Sequence, residues 1–262
     1  MNQEKTGLWN RENLKNPHGT PDKAQRVRQM FSGIAAHYDQ LNHLLSLNQD
    51  RRWRKKAVQS AAAAPGQKLL DLCCGTGDLA LAFAEREPRL SQITGLDFSE
   101  PMLTLARKKQ LTFLAQNPRD AHNQIKFQWL CADALNLPFP PASFDRVSCA
   151  FGLRNLQNLP QGLNEIYRVL QPSGKAVILE FAFPRHPLLA GLYSLYFKLV
   201  IPLAGSIISG DRSGAYHYLP QSVLRFLDRP QLEQSLIQAG FAAVHTVLLS
   251  GGLVLLIVAD KE

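Results

Sequence analysis

The sequence predicts an α/β fold built on one mostly parallel, seven-stranded sheet, and three observations predict it. Between Lys68 and Phe181, short apolar runs alternate with helical segments of ten to seventeen residues. Such alternation marks βαβ units, whose parallel strands are buried on both faces. A glycine-rich turn follows the first run, in LLDLCCGTGDLA, residues 69–80. Finally, FAAVHTVLL and LVLLIVAD flank Ser250-Gly251-Gly252, which reads as an antiparallel hairpin.

Residues 1 to about 20 are polar, with Gly and Pro, and are expected as a loose tail. From Asp22 onward, Val27, Met30, Phe31 and Ile34 recur at three- and four-residue steps, which predicts a helix. DRRWRKKAVQSAAAA predicts a second helix, closed by Pro65-Gly66. Strands follow over KLLDL, QITGLD, KFQWLCAD, DRVSCAF and AVILEF. Helices lie between them over DLALAFAERE, SEPMLTLARKKQLTFLA and NLPQGLNEIYRVL. After AVILEF the pattern breaks at LLAGLYSLYFKLVIPLAGSIIS, residues 188–209, whose one charge is Lys198. Its length would allow a membrane span. Pro202 and Gly205 interrupt it, however, and it sits between two strands of one sheet, so an inserted or interfacial helix is expected.

The chain of 262 residues is 45% hydrophobic and 19% charged, enough to bury a core without staples. Cys73, Cys74, Cys131 and Cys149 form no C-x-x-C pair, which argues against a zinc ribbon. The start, MNQEKTGLWN, lacks the apolar core of a signal peptide, so reduced thiols in a cytoplasmic compartment are expected. The net charge of +8 is uneven: residues 1–56 hold 11 Lys/Arg against 5 Asp/Glu, the remainder 18 against 16. A basic N-terminal segment suits an anionic surface, nucleic acid or acidic lipid, and a solvated basic face is the plain alternative.

Gly75-Thr76-Gly77-Asp78-Leu79-Ala80 fits the G-x-G-x-x-G/A pattern, in which glycines let the backbone approach a ligand. The same turn also serves as a plain strand-to-helix connection, so its neighbours decide. Asp71, Asp97 and Asp133 each close a predicted strand, and Asp97 lies 20 residues after Gly77, where an acid accepts two ribose hydroxyls. An anionic pyrophosphate would not favour Asp71 beside the glycines. S-adenosylmethionine carries an ammonium and a sulfonium but no phosphate, so three acids on one rim suit it better than NAD. Asp71 is then expected on the ammonium side, Asp97 at the ribose and Asp133 at the adenine amino group.

Further segments carry a family resemblance. YDQLNHLLSLNQDRRW (residues 38–53), FGLRN (151–155), RVLQPSG (168–174) and SGDRSGAYHYLPQSV (209–223) resemble, in this order, motifs of the UbiE-type quinone C-methyltransferases. The resemblance covers residues 22–262 and implies the class I methyltransferase fold, Rossmann-like with its last strand antiparallel. It implies S-adenosylmethionine as cofactor, S-adenosylhomocysteine as product, and no metal. Gly75, Thr76, Gly77, Phe98, Ala134 and Ala150 join the three acids as implied cofactor contacts. This sequence has Leu41 and Asn48 where the first motif usually has Met and Gly, and Ser173 for a Gly in the third. Ala150 stands where relatives often have Ser, and Cys73-Cys74 replaces a small pair. The vicinal cysteines look like the phylloquinone branch, acting on 2-phytyl-1,4-naphthoquinone in its reduced form, or on demethylmenaquinol. On this view a single domain, 21–262, comprises N-terminal helices (21–64), a cofactor core (65–183), a substrate-side insertion (184–230) and a C-terminal helix and hairpin (231–262).

Transfer to a ring carbon needs an electron-rich acceptor, so a quinol is expected rather than a quinone. Arg154 can stabilise a developing phenolate, and as a base it is poor, since a guanidinium keeps its proton in proteins. Tyr38, Asp39 and Asn42 are expected to form a polar wall, with Asn155 beside Arg154. Asp211, Tyr216 and Tyr218 are further substrate-side candidates. The prenyl tail would lie along residues 188–209, at a membrane surface approached peripherally. The sequence leaves oligomeric state open, a homodimer included. A benzoquinol enzyme and an RNA methyltransferase remain as alternatives. Against RNA, the basic segment lacks interleaved aromatics for stacking, and no N-P-P-Y/F loop follows the fourth strand.

Overall fold

The computed structural model describes residues 8–10, 12–117, 124–184 and 214–262, together with positions 187, 191, 193, 195 and 196. Two helices come first, α1 (Lys23–Leu45) and α2 (Gln49–Ala61). Then β1 (Lys68–Leu72), α3 (Asp78–Arg86), β2 (Gln92–Asp97), α4 (Glu100–Gln116) and β3 (Lys126–Cys131) alternate. They are followed by β4 (Phe144–Ala150), α5 (Leu159–Val169) and β5 (Leu170–Phe181). Helices α6 (Ala215–Leu224) and α7 (Arg229–Gln238) precede the hairpin of β6 (Ala243–Leu249) and β7 (Val254–Asp260).

The seven strands form one sheet in the order β3-β2-β1-β4-β5-β7-β6. Five strands run parallel, and β7 pairs antiparallel with both β5 and β6. Apolar runs such as KLLDL are buried almost throughout because helices cover both faces. Successive residues point to opposite faces, so Leu69 packs with α2 and α3 through Trp53, Val58 and Phe83. Leu70 and Leu72 pack with α5 and α7 through Leu163, Ile166 and Leu236. Between β1 and β4 the strand order reverses, and ligands of open α/β sheets bind in the crevice at that point, beyond the carboxyl ends of the strands.

Local chemistry fixes several ends. Asn158 caps α5 by accepting from the Gln161 N–H, and Asp228 and Gln231 form a capping box on α7. Strand β5 starts earlier than the expected AVILEF: Phe144 pairs with Leu170 and Arg146 with Lys175, so residues 171–174 form a bulge in the ladder. Strand β3 ends at Cys131, which leaves Asp133 two residues beyond the strand rather than at its end.

Part of the segment expected as a loose tail, residues 1–20, is packed onto the fold. Trp9 is 5% exposed and stacks on Tyr218 at 4.2 Å, and the His18 ring lies 2.9 Å from the Ser222 carbonyl. With Val27, Met30, Ile34 and Leu41 of α1, Trp9 and Tyr218 make a third apolar cluster. No described helix is long and apolar enough to cross a membrane. The helix expected over 188–209 lies mostly outside the described residues.

Candidate active site

Two adjoining cavities open at the crevice, and Phe31, Tyr38, Cys73, Gly75, Ala150 and Phe151 line both. The first also takes in Asp71, Thr76, Asn42, Arg154 and Tyr218; the second takes in Asp97, Phe98, Asp133, Ala134 and Asn155.

The turn after β1 gives its two glycines different work. Gly75 has φ +53°, and the nearest atom to a Cβ placed there would be Tyr38 Cε1 at 3.9 Å, so that Cβ would project into open cavity. A Cβ on Gly77 (φ +81°) would strike Trp129 at 2.7 Å and Ala106 at 3.1 Å. Gly77 therefore serves the packing of α3 and α4 on the sheet, and lines neither cavity, contrary to the expectation that both glycines open the backbone to a ligand.

Asp97 ends β2 with its carboxylate held by main-chain donors, Gly75 N–H on Oδ2 and Ser99 N–H on Oδ1, each at 2.9 Å. Each oxygen keeps lone-pair capacity for a ligand hydroxyl. Burial raises the Asp97 pKa against these bonds. Asp71 is 1% exposed, and its oxygens accept from Ser148 Oγ at 2.7 Å and Ala80 N–H at 3.1 Å. Burial pushes its carboxyl up to about 7, against the Ser148 and Ala80 hydrogen bonds and the Arg54 charge. Asp133 is exposed, and its Oδ1 accepts from Leu135 N–H at 2.9 Å, a cap on its own turn beside the second cavity. An anchored carboxylate for a diol, a glycine where a ligand must come close and a buried acid wanting a cation fit S-adenosylmethionine.

The predicted wall of Tyr38, Asp39 and Asn42 divides. Tyr38 stands where the cavities meet; burial raises its phenol pKa, and a hydrogen bond with Asn42 opposes the shift. Asp39 lines neither cavity. Its carboxylate accepts from Thr76 Oγ1 at 2.6 Å and Lys109 Nζ at 2.9 Å, which ties α1 to the glycine turn. Lys109 also bonds Thr76 and Asp78. Arg54 continues the network, to Asp50 at 2.5 Å and Asp78 at 3.2 Å. His43, Asp50 and Asp78 cluster closely enough to hold a cation, and the Arg54 guanidinium, paired with both carboxylates, supplies one.

Arg154 is 5% exposed. Glu180, at the end of β5, accepts its Nη1 at 2.8 Å and its main-chain N–H at 3.2 Å. Nη1 also donates to the Phe151 carbonyl, and the guanidinium lies 5.2 Å from the Phe181 ring centroid. Asn155 Oδ1 accepts from the Tyr218 hydroxyl at 2.9 Å, which joins two of the predicted residues. Asp211 and the Tyr216 side chain lie outside the described residues.

Sequence reasoning missed Glu180, Lys109 and Arg54. Glu180 left a signal, as a lone acid inside the apolar run AVILEF. Lys109 left none, being one of several cations on an amphipathic helix.

A parallel sheet with β7 inserted antiparallel between β5 and β6 is not the sheet of a NAD domain; it is that of the class I S-adenosylmethionine-dependent methyltransferases. Solved structures share it. The [4+2]-cyclase SpnF superposes with TM-score 0.62 at 19% identity, over 91% of this chain and 96% of that one. A putative methyltransferase of Haloferax volcanii, in complex with the Trm112 activator, gives 0.60 at 18%, over 88% and 97%. More closely, the chain belongs to the ubiE/COQ5 methyltransferase family, which matches residues 20–261. Among its relatives, a demethylmenaquinone methyltransferase of Deinococcus radiodurans is 43% identical over 88% of this chain and 90% of its own. A UbiE ubiquinone/menaquinone biosynthesis C-methyltransferase of Geobacter sulfurreducens is 43% identical over 84% and 82%.

Proposed function

We propose that this protein methylates a ring carbon of a prenylated naphthoquinol, a demethylmenaquinol or its phytyl counterpart, leaving S-adenosylhomocysteine. The observation that carries this reading is the pair of cavities joined at Tyr38, one with the diol-binding Asp97 and the other walled by Ile34, Leu41, Leu45 and Phe181. An apolar acceptor with a polar ring fits the latter, the first cavity described above, and two 43% identical relatives named demethylmenaquinone methyltransferase support a naphthoquinol, while a third is named for ubiquinone and menaquinone alike.

Bound S-adenosylmethionine supplies an activated methyl on a sulfonium that is its own leaving group, so the displacement needs no metal. The chain's residues orient and neutralise. Gly75 and Asp97 fix the ribose end, and Asp71 faces the cationic end. Arg154, braced by Glu180, places a fixed positive charge beside the ring hydroxyl as it becomes an oxyanion. A water takes the proton, oriented by Tyr38 and the Asn155–Tyr218 pair. The long tail partitions into lipid, so the enzyme works peripherally at a membrane surface.

The test is transfer of label from S-adenosylmethionine to reduced and oxidised 2-phytyl-1,4-naphthoquinone, with a demethylated benzoquinol in parallel. Label in the reduced naphthoquinone alone is the expected result. Label in benzoquinol instead overturns the ring assignment, and no label in any quinol overturns the acceptor class.

A further inference from the structure

The end of α1 and the turn that follows it each carry an exposed leucine. Leu47 is 76% exposed and Leu44 53%. Scattered exposed leucines are ordinary; these have company. The Tyr196 hydroxyl donates to the Leu45 carbonyl at 2.6 Å, so the facing segment meets α1 here, and its Leu195 is 58% exposed. Immediately after the turn, α2 holds Arg51, Arg52, Lys55 and Lys56, all exposed, while its inner face is fixed by buried Trp53, Ala57, Val58 and Ala61. Asp50 is the one acid between residues 44 and 56; it is 3% exposed and is bonded to His43, Ser46 and Arg54. The outer face therefore carries cations with no exposed anion among them.

This face adjoins a cavity mouth. Leu45 and Ser46 line the first cavity from α1, and Tyr193 and Tyr196 line it from the facing segment. We propose that the α1–α2 turn and the outer face of α2 form the surface on which this protein docks to an anionic lipid bilayer, with the acceptor cavity opening toward the acyl chains. The leucines enter the interface, and the four cations meet anionic headgroups, their aliphatic stems lying along the apolar patch. Charge complementarity selects the lipid: a neutral bilayer offers these cations nothing. The inference rests on the tailed acceptor proposed above, since such a substrate must pass between bilayer and cavity.

Co-sedimentation of the full chain with vesicles tests it. Binding is expected to vesicles of phosphatidylcholine with phosphatidylglycerol, and not to phosphatidylcholine alone. It should fall with salt, because the Debye length shrinks from about 10 Å at 0.1 M to about 3 Å at 1 M. Arg51→Gln with Arg52→Gln should lower partitioning about 25-fold, at roughly fivefold per cation. Leu47→Asp should lower it as well. All of these positions are exposed, so both variants should fold and methylate a short-tailed quinol in detergent at the parental rate. Equal binding to both vesicle types, or to neither, overturns the proposal. So does a solution dimer that Leu47→Asp splits, which would assign the face to a second copy. Vesicle binding without methyl transfer to any quinol would instead sink the acceptor assignment and leave the docking face standing.

Discussion

Asp71 is a carboxyl whose charge its buried surroundings disfavour. Its pKa, about 7, lies above the ordinary carboxylate value, so the folded chain holds a proton that the unfolded chain would release. That contribution to stability is present below the unfolded pKa, near 4, and is lost as pH rises through 7. A bound ammonium reverses the preference, so binding should release this proton. S-adenosylmethionine affinity should therefore be flat above pH 7 and weaken by up to about tenfold per unit below it. Calorimetric titration across pH checks this; a flat profile down to pH 5 removes Asp71 from the cationic end. Glu180 gives a second expectation. With the ion pair 6% and 1% exposed, removing one partner should cost about 3–5 kcal/mol in stability. Glu180→Gln retains an acceptor and should fold, with the turnover number down tenfold or more and cofactor Kd unchanged. An equal loss in Kd would mean that the pair only supports the fold. Asp71 and Asp97 were legible because an acid ending an apolar run is conspicuous. The pairing of Arg154 with Glu180 was not, since the two meet only once β4 and β5 lie side by side.

At the scale of elements, α1 is a wall held from outside. Its anchors are Asp39 to Thr76 and Lys109, contacts that span 37 and 70 residues of sequence. These are partly exposed polar bonds, each worth about 1 kcal/mol or less. Asp39→Asn should thus leave global stability nearly unchanged. It should raise S-adenosylmethionine Kd several-fold and speed amide exchange along α1. Unchanged exchange in α1 would show that the cluster around Met30 and Leu41 holds the helix without help. The strands and helices of the core were readable because their periodicities are local. The bulge at 171–174 and the division of Tyr38 from Asp39 were not: the first depends on register with β4, the second on which way a helix rolls against α4. Asp39 sits one residue from Tyr38 on a helix and so, at about 100° per residue, faces a different neighbour.

For the whole molecule, the sheet and its reversal point were legible from the order of apolar runs and the closing hairpin. The packing of Trp9 and His18 against α6 was not, because a polar, Pro- and Gly-containing segment reads the same whether it lies free or strapped down. Ligand binding should be felt globally, since the cofactor contacts proposed above lie at the ends of β1, β2 and β4 together. At a hundredfold excess over Kd, S-adenosylmethionine should stabilise the fold by about 2.7 kcal/mol, a Tm rise of roughly 5–10 °C. Scanning calorimetry checks it, and NAD at the same concentration should leave Tm where it was.

The place of β7 has a bearing on how the chain is made. β7 leaves the ribosome after β6, yet it lies between β5 and β6. While β6 is emerging it has no neighbour to pair with, and the β5 edge, lined by Val177 and Leu179, stays open. A nascent chain halted after residue 249 would therefore hold the five parallel strands, an unpaired β6 and an unsealed apolar border. Completion is a single late insertion that closes two edges at once, and any co-translational chaperone contact would be spent on that interval.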